Sequence, residues 1–195
     1  MAYTRIDHSI ARMRFRAALP HIGPNSRVCD LGCGLEAAFL HFASDRIVVG
    51  VGVDDQVEDD PVLPSGGEGA QIRRVHADIT SPIPLPSGSF DHVTMLAVLE
   101  HLPNPEPVFR EAFRLLVPAG SLVLTWPSGL VDPILNVLHT FHFISDEMES
   151  DEHQKRRPVD EIQAMLRTIG FRSFDHRRFE FGLNNLMVAY KPESA

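Results

Sequence analysis

The chain reads as an α/β domain built on a doubly wound, mostly parallel β-sheet. Three observations predict it. Apolar, often β-branched runs alternate with helix-spaced segments as far as Trp126. A glycine turn, Gly32-Cys33-Gly34, follows the first run directly. Aspartates stand at or just past the ends of the first three runs, at Asp30, Asp54 and Asp78, and open α/β sheets bind ligands outside the carboxyl ends of their strands.

The elements follow in order. Residues 5–19 carry Ile6, Ile10, Met13 and Leu19 at helical spacing, and Pro20, Gly23 and Pro24 end that helix. Arg27 to Leu31 is a short buried strand. Leu35 to Ala43 reads as the helix after the glycine turn, and Ile47 to Val53 as a central strand. Residues 55–70 hold Pro61, Pro64, Gly66, Gly67 and Gly69 among acidic residues, which leaves no room for a full helix. Ile72 to Ala77 and Phe90 to Ala97 are the third and fourth strands, with a proline-rich loop between them. Residues 105–117 form a helix with Val108, Phe109, Ala112, Leu115 and Leu116 on one face, and Pro118-Ala119-Gly120 turns into a fifth strand, Ser121 to Trp126. An apolar helical stretch over 130–142 precedes a charged loop over 145–157. Pro158 opens a helix with Ile162, Met165, Leu166 and Ile169 inward and Gly170 as its stop. Phe174 to Phe181 and Leu186 to Tyr190 read as an antiparallel pair.

The length of 195 residues fits one domain, and 44% apolar with 23% charged residues is ordinary for a globular core. Within residues 1–195 we distinguish an N-terminal helix over 1–20 and a ligand-binding half over 26–126. A lid or substrate segment over 127–157 and a C-terminal helix with its strand pair over 158–191 complete the domain. A net charge of −8 supplies no global field for nucleic acid, so no nucleic-acid partner is expected. Cys29 and Cys33 lie too close together to staple distant parts of a fold and have no partners for a zinc site. No apolar run spans a membrane, and the arginine-bearing N-terminus lacks the core of a secretory signal. The expectation is a cytoplasmic chain with no metal. Its oligomeric state cannot be read from the sequence.

Two cofactor classes compete for the glycine turn. Gly32, Gly34 and Ala37 fit a dinucleotide fingerprint, with Asp54 as its ribose acid. Asp30 argues otherwise. A carboxylate at the strand end repels a pyrophosphate and attracts the ammonium of a sulfonium amino acid.

Further segments continue the pattern: Gly52-Val53-Asp54, His76-Ala77-Asp78-Ile79, Ser89-Phe90-Asp91, Val98-Leu99-Glu100-His101-Leu102-Pro103 and Leu116-Val117-Pro118-Ala119-Gly120-Ser121-Leu122. With Asp30-Leu31-Gly32-Cys33-Gly34, their order resembles the class I S-adenosylmethionine-dependent methyltransferases. The order and spacing resemble the small-molecule branch that contains ubiquinone-biosynthesis methyltransferases, which implies a small-molecule substrate. The resemblance covers residues 26–126 well and the rest loosely. It implies a Rossmann-like sheet in the order 3-2-1-4-5-7-6 with an antiparallel last strand, S-adenosylmethionine as cofactor and S-adenosylhomocysteine as product. By the same resemblance Asp30 holds the methionine ammonium, and Gly32, Cys33 and Gly34 bring backbone to the methionine part. Asp54 takes the ribose hydroxyls, Asp78 the adenine amino group with Ile79 beside it, and Leu96 lies against the cofactor.

The chain departs from the family pattern at Glu36, where a third glycine is frequent, and in the helix after the second strand, which is lost or shortened. Glu36 is expected in the first turn of a helix, where the helix dipole favours a carboxylate. Glu100 and His101 follow the fourth strand and are the candidate catalytic pair, with His101 as general base; a plain helix start is the competing reading. His139 and His142, near Asp132, read as core or lid residues, Lys155 to Arg157 as solvated loop, and Trp126, Phe141 and Phe143 as core aromatics. The function expected is methyl transfer to an O, N or C atom. The alternatives are a non-catalytic S-adenosylmethionine-binding protein and a nicotinamide-dependent oxidoreductase.

Overall fold

The computed structural model describes residues 5–60, 69–129 and 157–194. Its strands are β1 (Ser26–Leu31), β2 (Ile47–Asp54), β3 (Gln71–His76), β4 (Phe90–Leu96), β5 (Leu116–Pro127), β6 (Phe174–Phe179) and β7 (Asn184–Tyr190). They form one sheet in the order 3-2-1-4-5-7-6. Pairing is parallel from β3 through β5, and β7 runs antiparallel to both β5 and β6. This is the order that the resemblance implies. The winding reverses between β1 and β4, so a crevice opens beyond their carboxyl ends.

Helices α1 (Arg5–Ala18), α2 (Ala38–Phe42), α3 (Glu106–Leu115) and α4 (Val159–Ile169) cover the sheet. Side chains that alternate along a strand separate the two faces. On β5, Leu122 and Leu124 join the core that contains Phe109, Leu115, Ile162 and Leu166 of α3 and α4. Val123, between them, joins the core that contains Ala17, Ala18, Phe39 and Leu40 of α1 and α2. Truncating the fully buried Phe109 to alanine is therefore expected to cost about 3–5 kcal/mol.

The structure corrects two of the expected elements and shows how a third segment is held. The helix after the glycine turn spans only Ala38–Phe42, because Gly34 (φ 66°) and Ala37 (φ 45°) are left-handed and a right-handed helix cannot begin before them. Glu36 therefore lies in the turn ahead of α2, not in its first turn. The fifth strand starts at Leu116 directly after α3, so Pro118-Ala119-Gly120 belongs to the strand. A register irregularity opposite Phe90 and His92, with Ala119 left-handed at φ 62°, accommodates them. Residues 55–60, 69 and 70 form no helix, as expected, but the described part is ordered by the edge of the sheet. Val57 is buried; Asp59 Oδ1 accepts from the His76 backbone N–H at 2.7 Å, and Asp60 Oδ2 from that of Arg74 at 2.8 Å. Residues 61–68 and 130–156 lie outside the described residues, and with them His139, His142, Asp132, Phe141, Phe143, Lys155 and Arg156. Arg157 departs from the solvated reading: it donates to Glu161 at 2.6 Å and to the Pro103 carbonyl at 2.7 Å, and its own carbonyl accepts from Trp126 Nε1. Among the described residues no helix is long and apolar enough to cross a membrane.

Candidate active site

The glycine turn is built by what surrounds it. Gly32 has φ 74°, and a Cβ there would lie 2.5 Å from Val98 Cγ2, so the segment after β4 packs onto backbone at this position. On the other side Cys33 fills the space that a Cβ on Gly52 would need, 2.6 Å from Sγ. The turn is thus wedged between β2 and the end of β4. Gly34, at φ 66°, has no neighbour within 4 Å of a Cβ and faces open space. The chain is also left-handed at Ala97 (φ 61°), just past β4, where its N–H donates to both Thr125 Oγ1 and the Thr125 carbonyl at 3.1 Å. Left-handed backbone at a non-glycine residue is costly, and it marks both sides of the crevice.

Three acids sit at its rim. Asp54, at the end of β2, accepts from the Gly34 N–H at 2.9 Å through Oδ2 and from the Gln56 N–H at 3.0 Å through Oδ1. Each oxygen keeps a free lone pair, and the residue is part-exposed. Asp30 is buried at 3% exposure. Thr94 holds its Oδ1, and no hydrogen bond from the described residues reaches Oδ2. Burial raises its carboxyl to about 7, against the pull of the Thr94 hydrogen bond and with the charge of Asp54 adding to the rise. A cation between these two carboxylates would relieve both. Asp78, past β3, is exposed and folded onto its own turn, accepting from the Thr80 N–H and hydroxyl and from the Ser81 hydroxyl at 2.7–3.0 Å. Those bonds hold its carboxyl below the ordinary range. Ile79 packs against the α3-side core and Leu96 against the α1-side core.

Neither cysteine thiol is set to ionise readily. Burial pushes the Cys33 thiol up to about 12, with the charges of Asp30 and Asp54 adding, and raises Cys29 well above its ordinary value. The Cys33 side chain packs toward β2.

Glu100 and His101 end a short 3-10 turn (Leu99–His101) and point differently. His101 is exposed. Glu100 is turned inward, its Oε2 buried without a hydrogen-bond partner, and burial raises its carboxyl above the ordinary value. Sequence reasoning missed Thr94, Thr125 and Arg74. The last donates to the Leu35 carbonyl at 2.8 Å while paired with Asp60, and so ties the glycine turn to the segment after β2.

The family described as "methyltransferase domain" matches residues 29–124, from β1 into β5. That match starts on the glycine-turn strand and includes the rim acids and the Glu100–His101 turn. Over this stretch, just under half of its length, the chain is similar to S-adenosylmethionine-dependent methyltransferases. Among curated relatives of these methyltransferases, the Xanthomonas campestris "ubiquinone biosynthesis O-methyltransferase" is 32% identical over 127 residues, 62% of this chain and 48% of the relative. The chain spans about half the length of that relative. The Clavibacter sepedonicus "demethylmenaquinone methyltransferase" is 27% identical over 91% of this chain and 77% of its own. Two solved structures share the fold. A Thermotoga maritima S-adenosylmethionine-dependent methyltransferase has TM-score 0.63 at 17% identity over 94% of this chain and 90% of that one. The [4+2]-cyclase SpnF has TM-score 0.64 at 15% identity over 95% and 82%.

S-adenosylmethionine is the cofactor of this family, and the residues present suit it. The space at Gly34 is open, Asp30 offers an unengaged carboxylate oxygen, and Asp54 is already oriented by backbone N–H groups.

Proposed function

We propose that this chain transfers a methyl group from S-adenosylmethionine to an O, N or C atom of a small molecule. The observation that carries the reading is the pair of acids around the open glycine turn, buried Asp30 and backbone-anchored Asp54. Bound there, the cofactor supplies a methyl group already activated on a sulfonium. The chain's own task is to position. Asp30 attracts the ammonium, and Gly32, Cys33 and Gly34 present backbone to the methionine part. Asp54 accepts from the ribose hydroxyls, Asp78 from the adenine amino group with Ile79 beside it, and Leu96 gives an apolar contact. Glu100, turned inward beyond β4, stands on the acceptor side. His101 assists proton removal if the acceptor must lose a proton. The names of the quinone-pathway relatives favour a small acceptor.

Calorimetric titration with S-adenosylmethionine, S-adenosylhomocysteine and a nicotinamide dinucleotide tests the binding. Transfer of an isotope-labelled methyl group to a panel of small acceptors tests turnover. Nicotinamide binding with no adenosyl binding defeats the reading. A second reading, a domain that binds the cofactor without methyl transfer, draws on the lost helix over 55–60 and on the cyclase that shares this fold. Cofactor binding with no turnover across the acceptor panel would favour it.

A further inference from the structure

Folded proteins leave few buried polar atoms unpaired, and each one calls for an explanation. Among the described residues, Arg14 Nε, His21 Nε2, Glu100 Oε2, Arg157 Nε, Glu180 Oε1 and Asn184 Oδ1 are buried without hydrogen-bond partners, and those of Arg14, Glu100, Glu180 and Asn184 belong to residues linked to one another by charge or hydrogen bond. These four come from distant parts of the chain and converge beyond the carboxyl ends of β4 and β5. Glu100 follows β4. Asn184 opens β7 opposite Pro127, the last residue of β5. Ser128 fastens the β6–β7 turn to that end of β5: its N–H donates to the Leu183 carbonyl at 2.7 Å and its hydroxyl to the Gly182 carbonyl at 2.6 Å. Asn184 Nδ2 donates to Glu180 Oε2 within that turn. Arg14 comes from α1, and its positive charge acts on both the Glu100 and the Glu180 carboxyls. Arg177 docks α1 by donating to the Ala17 carbonyl at 2.8 Å.

Two features separate this cluster from a packing accident. Asn184 is only 6% exposed, so its carbonyl oxygen has no recourse to bulk water. The turn that presents Glu180 is held in an unfavourable backbone, left-handed at Glu180 (φ 51°), Phe181 (φ 55°) and Gly182 (φ 88°) in succession. That turn also carries Phe181 fully exposed.

The chemistry of the four atoms selects a ligand. Three are oxygens that can only accept from a ligand; one is an N–H that donates. An anionic ligand meets two carboxyls, and a cationic one meets the Arg14 guanidinium. A hydroxyl group offers a proton to an oxygen and a lone pair to Nε–H at once. We infer that Arg14, Glu100, Glu180 and Asn184 form the acceptor-recognition pocket and take an uncharged acceptor that presents hydroxyl groups, in preference to an acid or an amine. This rests on the methyl-transfer reading for the word acceptor; the pocket itself does not.

The test uses the full chain saturated with S-adenosylhomocysteine and three small probes, 1,2-dihydroxybenzene, benzoate and benzylammonium, followed by ligand-observed NMR titration. The dihydroxy probe is expected to bind best. Asn184→Leu and Arg14→Met should each weaken it by about tenfold or more while S-adenosylhomocysteine affinity stays within about twofold. Should Asn184→Leu fail to fold, Arg14→Met, outside the sheet, decides alone. Preference for either charged probe, no binding of the dihydroxy probe, or binding that Arg14→Met leaves unchanged overturns the pocket. If S-adenosylhomocysteine itself does not bind the wild-type chain, the methyl-transfer reading falls, and the same titrations without it still decide the pocket.

Discussion

Thr94 donates its hydroxyl hydrogen to Asp30 across the seam between β4 and β1, Oγ1 to Oδ1 at 2.5 Å, with both side chains buried. The two residues face each other in register where the winding of the sheet reverses. The bond fixes the carboxyl at the mouth of the crevice and moderates a pKa that burial raises to about 7. An ionised Asp30 attracts a cationic ligand group; a protonated one does not. S-adenosylmethionine affinity should therefore rise as pH climbs through about 7, and Asp30→Asn should lose that step. Thr94→Val, which removes the moderating bond, should move the step to higher pH. The free protein carries the opposite dependence. Its native state holds a proton that the unfolded chain releases near 3.8, so this group's contribution to stability falls as pH rises from 3.8 towards about 7. Calorimetry and thermal melts across that range check both; a wild-type affinity that is flat in pH contradicts the role of Asp30.

Gly32→Ala and Gly34→Ala should separate folding from binding. At Gly32 the added Cβ meets Val98 Cγ2 at 2.5 Å, so the fold itself suffers. At Gly34 nothing is met within 4 Å, and the cost to the free protein is only the left-handed backbone, about 1–2 kcal/mol. The Gly34 variant should lose cofactor affinity out of proportion to its stability. Equal losses of Tm and unchanged cofactor affinity in both variants would refute this.

Asp54→Ala removes the acceptor of the Gly34 N–H as well as the proposed ribose contact. Cofactor binding should weaken by about 1.5–3 kcal/mol, the range for hydrogen bonds to a charged group. A titration showing no loss would place the ribose elsewhere.

Glu36 is exposed in the turn before α2. Replacing it with glycine should change S-adenosylmethionine affinity less than tenfold, under about 1.4 kcal/mol, whereas Asp30→Ala should change it more. Tightening beyond tenfold in Glu36→Gly would mean that its carboxylate blocks the cofactor.

His101→Ala and Glu100→Gln should divide the pair. If His101 takes the acceptor's proton, its alanine variant loses turnover at unchanged cofactor affinity. Glu100, buried and inward, should affect the acceptor's KM. Full turnover in His101→Ala leaves it as an exposed end of a 3-10 turn.

Much of this architecture is legible in the sequence because its signals are local. A β-branched run, a glycine pair and an aspartate after a strand each announce themselves within a few residues, and their order gives the sheet. The partners of those aspartates are not local. Thr94 lies 64 residues from Asp30, and a hydroxyl inside an apolar strand reads as a tolerated substitution until the strands are paired. The Glu100–His101 pair is visible, but which of the two turns inward depends on a 3-10 turn that no periodicity predicts. Glu180 and Asn184 carry no local signal, because their meaning depends on how the β6–β7 turn packs on Ser128. The start of α2 is not legible in the sequence because left-handed Ala37 carries no mark in its residue type.

The acidic stretch beside β3 does more than fill a gap left by a helix. Asp59 and Asp60 occupy backbone N–H groups of His76 and Arg74 along the outer border of the sheet. The Asp60 N–H donates to the Arg74 carbonyl at 3.1 Å. A bare border strand is an invitation for another chain to add on and begin an aggregate. Arg74 keeps the Asp60 carboxyl down at about 2, so mild acid does not discharge it. Copies of this protein crowded together during synthesis thus meet a border already occupied on that side by Asp59 and Asp60, two acids that look in the sequence like nothing more than a solvated turn.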